Sequence, residues 1–265
     1  MQSCGKKLKV QELKFNSLQK LFSLKQNPSM IAGPCSIENR EQLEQVAITL
    51  AHHHIPFIRG GAFKPRTSPY NFQGLGIEGL KILSEIGRQY GLLTVSEILD
   101  PRDVWAGVEY LDIIQIGSRN MSNFALLKEV GKTRRPVLLK RGYMSTVSEF
   151  LLAAEYIVCE GNTNVILCER GIRSFENSTR NLLDIAGIAL IQKETSLPVI
   201  VDLSHSLGRK DILLPVAKAV LAMDIDGIML EVHPDPENAL SDQQQQLNLK
   251  ELESFLKVID WATRS

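Results

Sequence analysis

LPVIVDLSHSLGRKDILLPVAKAVLAMDIDGIMLEVHP, residues 197–234, holds one complete unit of the fold. Its first run, Pro198–Asp202, is almost continuous Val and Ile, the composition of a strand buried on both faces. Asp211–Met223 follows with apolar residues at helical spacing, and Gly227–Glu231 is a second apolar run. A strand, a helix and a strand of these lengths make a βαβ unit, whose two strands run parallel.

Working outward, the same alternation fills the chain. Six more apolar runs precede this unit: Ser29–Gly33, Pro56–Arg59, Leu92–Ser96, Asp112–Ile116, Pro136–Lys140 and Asn164–Cys168. Helical patterns separate them. Glu41–His54 has Leu43, Val46, Ala47 and Leu50 on one face. Gly76–Tyr90, Asp100–Val108, Asn123–Val130, Ser145–Cys159, Asn177–Thr195 and Leu249–Trp261 read similarly. Eight strands alternating with helices predict an α/β fold, a single-domain (β/α)8 TIM barrel. An open doubly wound sheet is the alternative. It normally needs fewer strands, and no glycine-rich dinucleotide fingerprint follows the first run. The barrel is assigned to residues 29–265. Residues 1–28 are a short extension, expected to form a hairpin or helix closing the barrel bottom. Gln243–Gln246 reads as a solvated loop or the start of the last helix.

Composition narrows the function classes. Of 265 residues, 30 are Lys or Arg and 30 are Asp or Glu, so the net charge is zero. A general basic surface for nucleic acid or anionic membrane is excluded. No run of about 18 apolar residues spans a membrane, and no secretory h-region opens the chain. Four cysteines, Cys4, Cys35, Cys159 and Cys168, are too few for a disulfide scaffold, and a reducing cytoplasm is expected. Cys159 and Cys168 read as packing residues, Cys4 as an exposed thiol, and Trp105 and Trp261 as packing or interface residues on helices. His52-His53-His54 precedes the second strand and so falls at the barrel bottom, as a solvated helix end.

In such a barrel the chemistry sits at the C-terminal strand ends, and two sets of residues gather there. The first is cationic: Arg59, Lys64, Arg66, Arg119, Lys140 and Arg170. Six cations at one mouth call for a polyanionic ligand, because unpaired like charges repel and guanidinium forks match phosphate and carboxylate oxygens. The second set is Cys35, His205, Glu231 and Asp242. A thiolate, an imidazole and two carboxylates suit a divalent transition metal such as Mn, Fe, Co or Zn better than Mg or Ca. Alone, Cys35 reads as a small buried residue and His205 as a hydrogen-bonded loop histidine. The four are far apart in sequence, and only their shared strand-end position points to a joint role.

Seven segments carry a family resemblance: AGPCSIE (32–38), FIRGGAFKPRTSPYNFQGLG (57–76), QIGSRNMSN (115–123), LLKRG (138–142), CERGIRSFE (168–176), VDLSHS (201–206) and EVHPDPENALSDQQQQL (231–247). In this order they closely resemble the 3-deoxy-D-arabino-heptulosonate 7-phosphate (DAHP) synthases, specifically the microbial type I beta-like subgroup with a compact barrel core. The resemblance implies condensation of phosphoenolpyruvate with erythrose 4-phosphate and water, with release of phosphate. This is the first step of the shikimate route to aromatic amino acids. A sister family makes 3-deoxy-octulosonate 8-phosphate from arabinose 5-phosphate on the same barrel and is the alternative. The segments Lys64-Pro65-Arg66-Thr67-Ser68 and Gly117-Ser118-Arg119-Asn120 resemble the DAHP side.

The resemblance also implies roles. Arg119, Lys140 and Arg170 would hold phosphoenolpyruvate, assisted by Arg59 and Lys64. Arg66 and Thr67 would hold the sugar phosphate. Pro65, Ser118 and His205 complete the substrate contacts. Lys64, Glu97 and His205 would be catalytic, with Glu97 orienting a water and Lys64 protonating the new alkoxide. Cys35, His205, Glu231 and Asp242 would hold the divalent metal. One departure is Leu203, where the family reads Asp-Pro-Ser-His; losing the proline is expected to loosen the His205 loop. Two other classes are weighed: a Schiff-base aldolase using Lys140, and a barrel that only binds a polyanion. With 28 residues before the barrel, no regulatory domain is expected, and so no inhibition by Phe, Tyr or Trp. A homodimer or homotetramer is expected.

Overall fold

The structure, a computed structural model, describes residues 8–13 and 28–261. Eight parallel strands close into a barrel in chain order: β1 (Ser29–Gly33), β2 (Phe57–Arg59), β3 (Leu93–Glu97), β4 (Ile113–Ile116), β5 (Val137–Lys140), β6 (Val165–Glu169), β7 (Val199–Asp202) and β8 (Gly227–Glu231). Ile31 pairs with Phe57 on one side and with Met229 of β8 on the other, which closes the ring. A closed ring has no unpaired edge, so every strand can be apolar and buried.

Alternation along each strand divides the core into two layers. Ile31, Phe57, Val95, Ile113, Leu138, Ile166, Cys168, Ile200 and Met229 fill the lumen. Their neighbours one residue away, including Met30, Ala32, Ile58, Ile114, Leu139, Leu167, Val201 and Leu230, pack outward against the helices. The helices start where side chains satisfy their free N–H groups. The Asn39 carboxamide accepts from the Gln42 N–H ahead of Arg40–His52, and Thr146 and Glu149 form a capping box for Val147–Cys159.

Several boundaries differ from those the sequence predicts. Glu97 and Glu169 are the last residues of β3 and β6 rather than the first residues beyond them. The helix expected over Asn177–Thr195 begins only at Ile185 and ends at Glu194. Residues 177–184 instead spend backbone groups across loops: the N–H groups of Arg180 and Asn181 reach the carbonyls of Leu207 and Ser206, and Leu182 pairs with Ile172. Cys159 is exposed rather than packed, at the end of its helix, whereas Cys168 lies in the lumen. Trp105 is 55% exposed and donates to Glu129, while Trp261 is buried.

Near the start of the chain, Lys9–Glu12 forms one helical turn. The N–H groups of Lys9 and Val10 both donate to the Glu155 carboxylate at 3.0 Å, and Thr195 donates to the Val10 carbonyl at 2.9 Å. These contacts hold the turn against the Val147–Cys159 helix and the segment leading into β7, on the side away from the strand C-termini. Cys4 and most of the 1–28 extension lie outside the described residues.

Candidate active site

Side chains two residues apart on a strand share a face. In the lumen this rule converts packing into chemistry at the top of each strand. Above Phe57 comes Arg59, above Val95 Glu97, above Ile113 Gln115, above Leu138 Lys140, above Cys168 Arg170, above Ile200 Asp202 and above Met229 Glu231. Above Ile31 comes Gly33, at φ +148°, where a β-carbon would stand 2.0 Å from the Arg59 carbonyl oxygen. Glycine there lets β1 run close against β2, so Cys35 and Arg59 meet at one site.

Cys35, His205, Glu231 and Asp242 come together. One donor atom from each lies within 4.8 Å of all the others. Cys35 Sγ is 3.1 Å from Asp242 Oδ2, and His205 Nε2 is 3.4 Å from Glu231 Oε1 and 3.8 Å from Asp242 Oδ2. Donors sharing one first-row ion at about 2.0–2.3 Å sit roughly 3–4 Å apart, so the spacing fits such an ion. The imidazole is also prepared. Its Nδ1 lies 2.8 Å from the Asp202 carboxylate, which directs the Nε2 lone pair toward the other donors. Burial pushes the His205 pKa down, against the pull of Asp202 and Glu231, which favours the neutral ring a metal needs.

The anionic donors are balanced by cations. Burial opposes ionisation of Glu231, yet His205 and Arg59 hold it below the usual carboxylate range. Arg59 Nη1 reaches Glu231 at 2.7 Å. Asp242 is likewise held low against burial, chiefly by Arg180, 3.2 Å away, and by His205. Asp242 sits at φ +48°, a strained conformation for a residue with a β-carbon, typical of functional positions. Burial and Glu231 push the Cys35 thiol up to about 12, with Lys64 Nζ at 2.9 Å from Sγ pulling the other way.

A cavity opens above this cluster. Arg59, Lys64, Pro65, Arg66, Thr67, Glu97, Ser118, Arg119, Lys140, Arg170, His205 and Asp242 all line it, while Cys35 and Glu231 lie fully buried beneath. The six cations do converge, but not all are unpaired. Arg59 pairs with Glu231, Lys140 with the buried Asp202, and Lys64 touches the thiol. Among the described residues, Arg66, Arg119 and Arg170 form no salt bridge, and they carry the free positive charge of the mouth. Glu97 points into the cavity against Gly117, where a β-carbon would come 1.9 Å from Oε1. Burial raises its pKa despite nearby Lys64 and Lys140.

Some site residues escape the sequence reading. Asp202 is fully buried, binds Lys140, and accepts from the His205 N–H at 2.9 Å. Gln115 and Asp202 were findable by strand parity alone. Gln245 and Gln246 are buried rather than solvated. Gln245 donates to Glu231 and accepts from Arg180, and Gln246 accepts from the Cys35 N–H at 2.9 Å. Arg180, Tyr143 and Asn71 line the cavity from loops with no such periodicity. Leu203 is fully buried and opens the short helix Leu203–Leu207, capped by the Asp202 carboxylate.

A closed parallel barrel with a buried four-donor cluster of metal-ligand type under a cationic mouth defines the class. Residues 16–264 match the DAHP synthetase I family, and the chain belongs to that family. It is 54% identical over 222 residues to the phospho-2-dehydro-3-deoxyheptonate aldolase of Thermotoga maritima, covering 84% of this chain and 66% of that protein. The chain thus spans just under two-thirds of that relative's length. The solved structure of the Thermotoga maritima DAHP synthase superposes with a TM-score of 0.86 at 50% identity, covering 89% of this chain and 69% of that one. A truncated form of the Thermotoga maritima synthase gives 0.82 at 46% identity, covering 89% and 86%. The 2-dehydro-3-deoxyphosphooctonate aldolase of Syntrophotalea carbinolica is 31% identical over 86% of this chain and 88% of its own length.

Proposed function

We propose that this chain is a metal-dependent DAHP synthase, condensing phosphoenolpyruvate with erythrose 4-phosphate and water to give DAHP and phosphate. The observation that carries the reading is the cationic cavity directly above the Cys35, His205, Glu231 and Asp242 cluster. Those four residues hold a divalent first-row ion, drawn from Mn, Fe, Co and Zn, and such an ion supplies Lewis acidity toward the sugar aldehyde.

The chain's own residues do the rest. Arg119, Lys140 and Arg170 take the phosphate and carboxylate of phosphoenolpyruvate, with Arg59 and Lys64 adding charge at the cavity floor. Arg66 and Thr67, on the loop after β2, hold the phosphate of the sugar, with Pro65 and Ser118 shaping the wall. Anchored at both ends, the two substrates present C3 of the enol to the aldehyde carbon, so binding energy supplies orientation. Lys64 gives its proton to the alkoxide that forms. Glu97 orients the water that adds to C2, and its raised pKa suits a carboxyl that takes up a proton. Breaking the C2–O bond then releases phosphate. His205 contacts the sugar end of the pair.

Residues 29–265 form the catalytic barrel in this reading and 1–28 an extension to it; the docking of the Lys9–Glu12 turn supports this division. A reducing, cytoplasmic setting is supported by the need for a free thiol at Cys35. A homodimer or homotetramer is supported by the exposed Phe124 and Tyr156 rings on adjacent helices.

A Schiff base at Lys140 is disfavoured. The Lys140 nitrogen is engaged by the fully buried Asp202 carboxylate, and a Schiff-base aldolase would leave the Cys35, His205, Glu231 and Asp242 cluster without a role. The octulosonate reading is favoured by one observation, the relatives near 30% identity that carry that name. Phosphate release separates the readings. Release with erythrose 4-phosphate, lost with chelator and restored by Mn²⁺, is expected. Release with arabinose 5-phosphate alone would move the chain to the sister activity, and binding without release would leave a polyanion-binding barrel.

A further inference from the structure

Tyr143 has no part in the chemistry above, yet it stands in the cavity wall three residues past Lys140. Its ring is shared by three guanidinium groups. The Cζ atoms of Arg170, Arg173 and Arg119 lie 4.6, 5.2 and 5.7 Å from the ring centroid. The Arg173 N–H also donates to the Tyr143 carbonyl at 2.7 Å, which ties the loop after β5 to the loop after β6. Arg170 is 2% exposed, and its guanidinium bonds the Gly171 carbonyl at 3.3 Å rather than any carboxylate.

Cations without acidic partners repel one another and must still be held in one geometry before an anion arrives. A carboxylate would hold them but would also cancel their charge and repel the incoming phosphate. An aromatic face attracts a cation through its quadrupole and carries no net charge. The ring therefore fixes the guanidinium groups and leaves their charge for the ligand.

We propose that Tyr143 is a positioning residue that pre-organises Arg119 and Arg170 for the phosphate and carboxylate of phosphoenolpyruvate, through its ring and not its hydroxyl. The inference rests on the substrate reading given above. It predicts an effect on affinity for one substrate rather than on the chemical step, because the ring touches the holders and not the reacting atoms.

The test compares Tyr143→Phe, Tyr143→Leu and Tyr143→Met in the metal-loaded full chain, by steady-state kinetics and by calorimetric titration with phosphoenolpyruvate and with inorganic phosphate. Tyr143→Phe is expected to keep the wild-type KM for phosphoenolpyruvate within about twofold. Tyr143→Leu is expected to raise both the KM and the Kd for phosphoenolpyruvate about tenfold, which is about 1.4 kcal/mol. The KM for erythrose 4-phosphate should stay within about twofold and kcat within about threefold. Tyr143→Met, unbranched and flexible, gives the same comparison if the leucine variant does not fold. Three results overturn the inference: ring-free variants that bind like wild type, a phenylalanine variant as weak as leucine, or a fall in kcat with the KM for phosphoenolpyruvate unchanged. If wild type releases no phosphate from phosphoenolpyruvate, the substrate reading fails. Weaker inorganic phosphate binding in the ring-free variants would then still uphold the positioning role, and equal binding would end both.

Discussion

Asp202 joins the two halves of the site. One carboxylate, fully buried, holds both Lys140 in the cavity wall and the His205 ring in the four-donor cluster. Removing its charge strands both partners. Asp202→Asn is expected to cost about 3 kcal/mol in stability, as breaking a buried ion pair does. It is also expected to weaken metal binding roughly 10- to 100-fold through the lost ring orientation. The pH dependence has a definite sign. His205 and Lys140 hold the Asp202 pKa well below its ordinary value, against burial. Its stabilisation is therefore complete above about pH 4, the unfolded value, and is lost as pH falls through the folded value. Denaturation of wild type and variant should show a constant gap at neutral pH that closes in acid; a gap that widened in acid would contradict the assignment. Cys35 adds a second titration. A thiol held up to about 12 must lose its proton to ligate. Metal affinity should then rise about tenfold per pH unit near neutrality, with one proton released from the thiol per ion. Calorimetry in two buffers of different ionisation enthalpy measures that proton, and a release of zero would remove Cys35 from the ligand set. Residues such as Glu231 and Lys140 were legible because they close apolar runs. Asp202 closes one too, but it reads as an ordinary strand terminus until its inward parity is counted from Ile200.

At the scale of elements, patterning worked where one force dominated. Strands in a closed ring are apolar on both faces, so all eight runs stand out, and boundaries shift only by a residue or so. Gly227–Glu231 matches its predicted span, while Pro56 and Leu92 fall just outside β2 and β3. Patterning failed where backbone groups found partners outside their own helix. Leu182 and Leu183 continue the apolar spacing of Ile185–Glu194, but Leu182 is 48% exposed and its backbone pairs with Ile172. The irregular stretch carries Arg180 to Asp242, which a helix through 177–184 would not allow in the same way. The buried glutamines are another such case, since a polar run gives no periodic signal for the hydrogen bonds it makes. Capping, by contrast, is local and readable. Thr146 accepts from the Glu149 N–H at 3.2 Å, and Glu149 returns a bond to the Thr146 N–H at 2.7 Å. Thr146→Ala is expected to lower stability by about 1 kcal/mol without changing KM for either substrate. Chemical denaturation alongside steady-state assays checks both halves, and a shift in KM would mean that the cap also sets the loop after β5.

On the scale of the whole molecule, the four donor residues are far apart in the sequence but belong to three neighbouring strands of the ring and the loops that follow them. Cys35 follows β1, His205 lies in the helix after β7, Glu231 ends β8, and Asp242 stands in the loop beyond. An ion bound by all four cross-links the seam where the last strands meet the first, where β8 pairs with β1 from Ser29↔Gly227 to Gly33↔Glu231. A ligand that binds only the folded state stabilises it by mass action, by about 2.7 kcal/mol at a free concentration 100 times its Kd. For a domain of this size, each kcal/mol moves the melting temperature by about 2–4 °C. Adding Mn²⁺ or Zn²⁺ to chelator-treated protein should therefore raise Tm by roughly 5–10 °C, without any substrate present. Cys35→Ala should lose most of this shift, because the remaining three donors bind more weakly, while its metal-free Tm changes far less. A Tm that does not respond to metal in wild type would separate the cluster from any resident ion. An equal shift in the variant would place the ion elsewhere, and the reading of the seam would fall even if turnover with erythrose 4-phosphate survived.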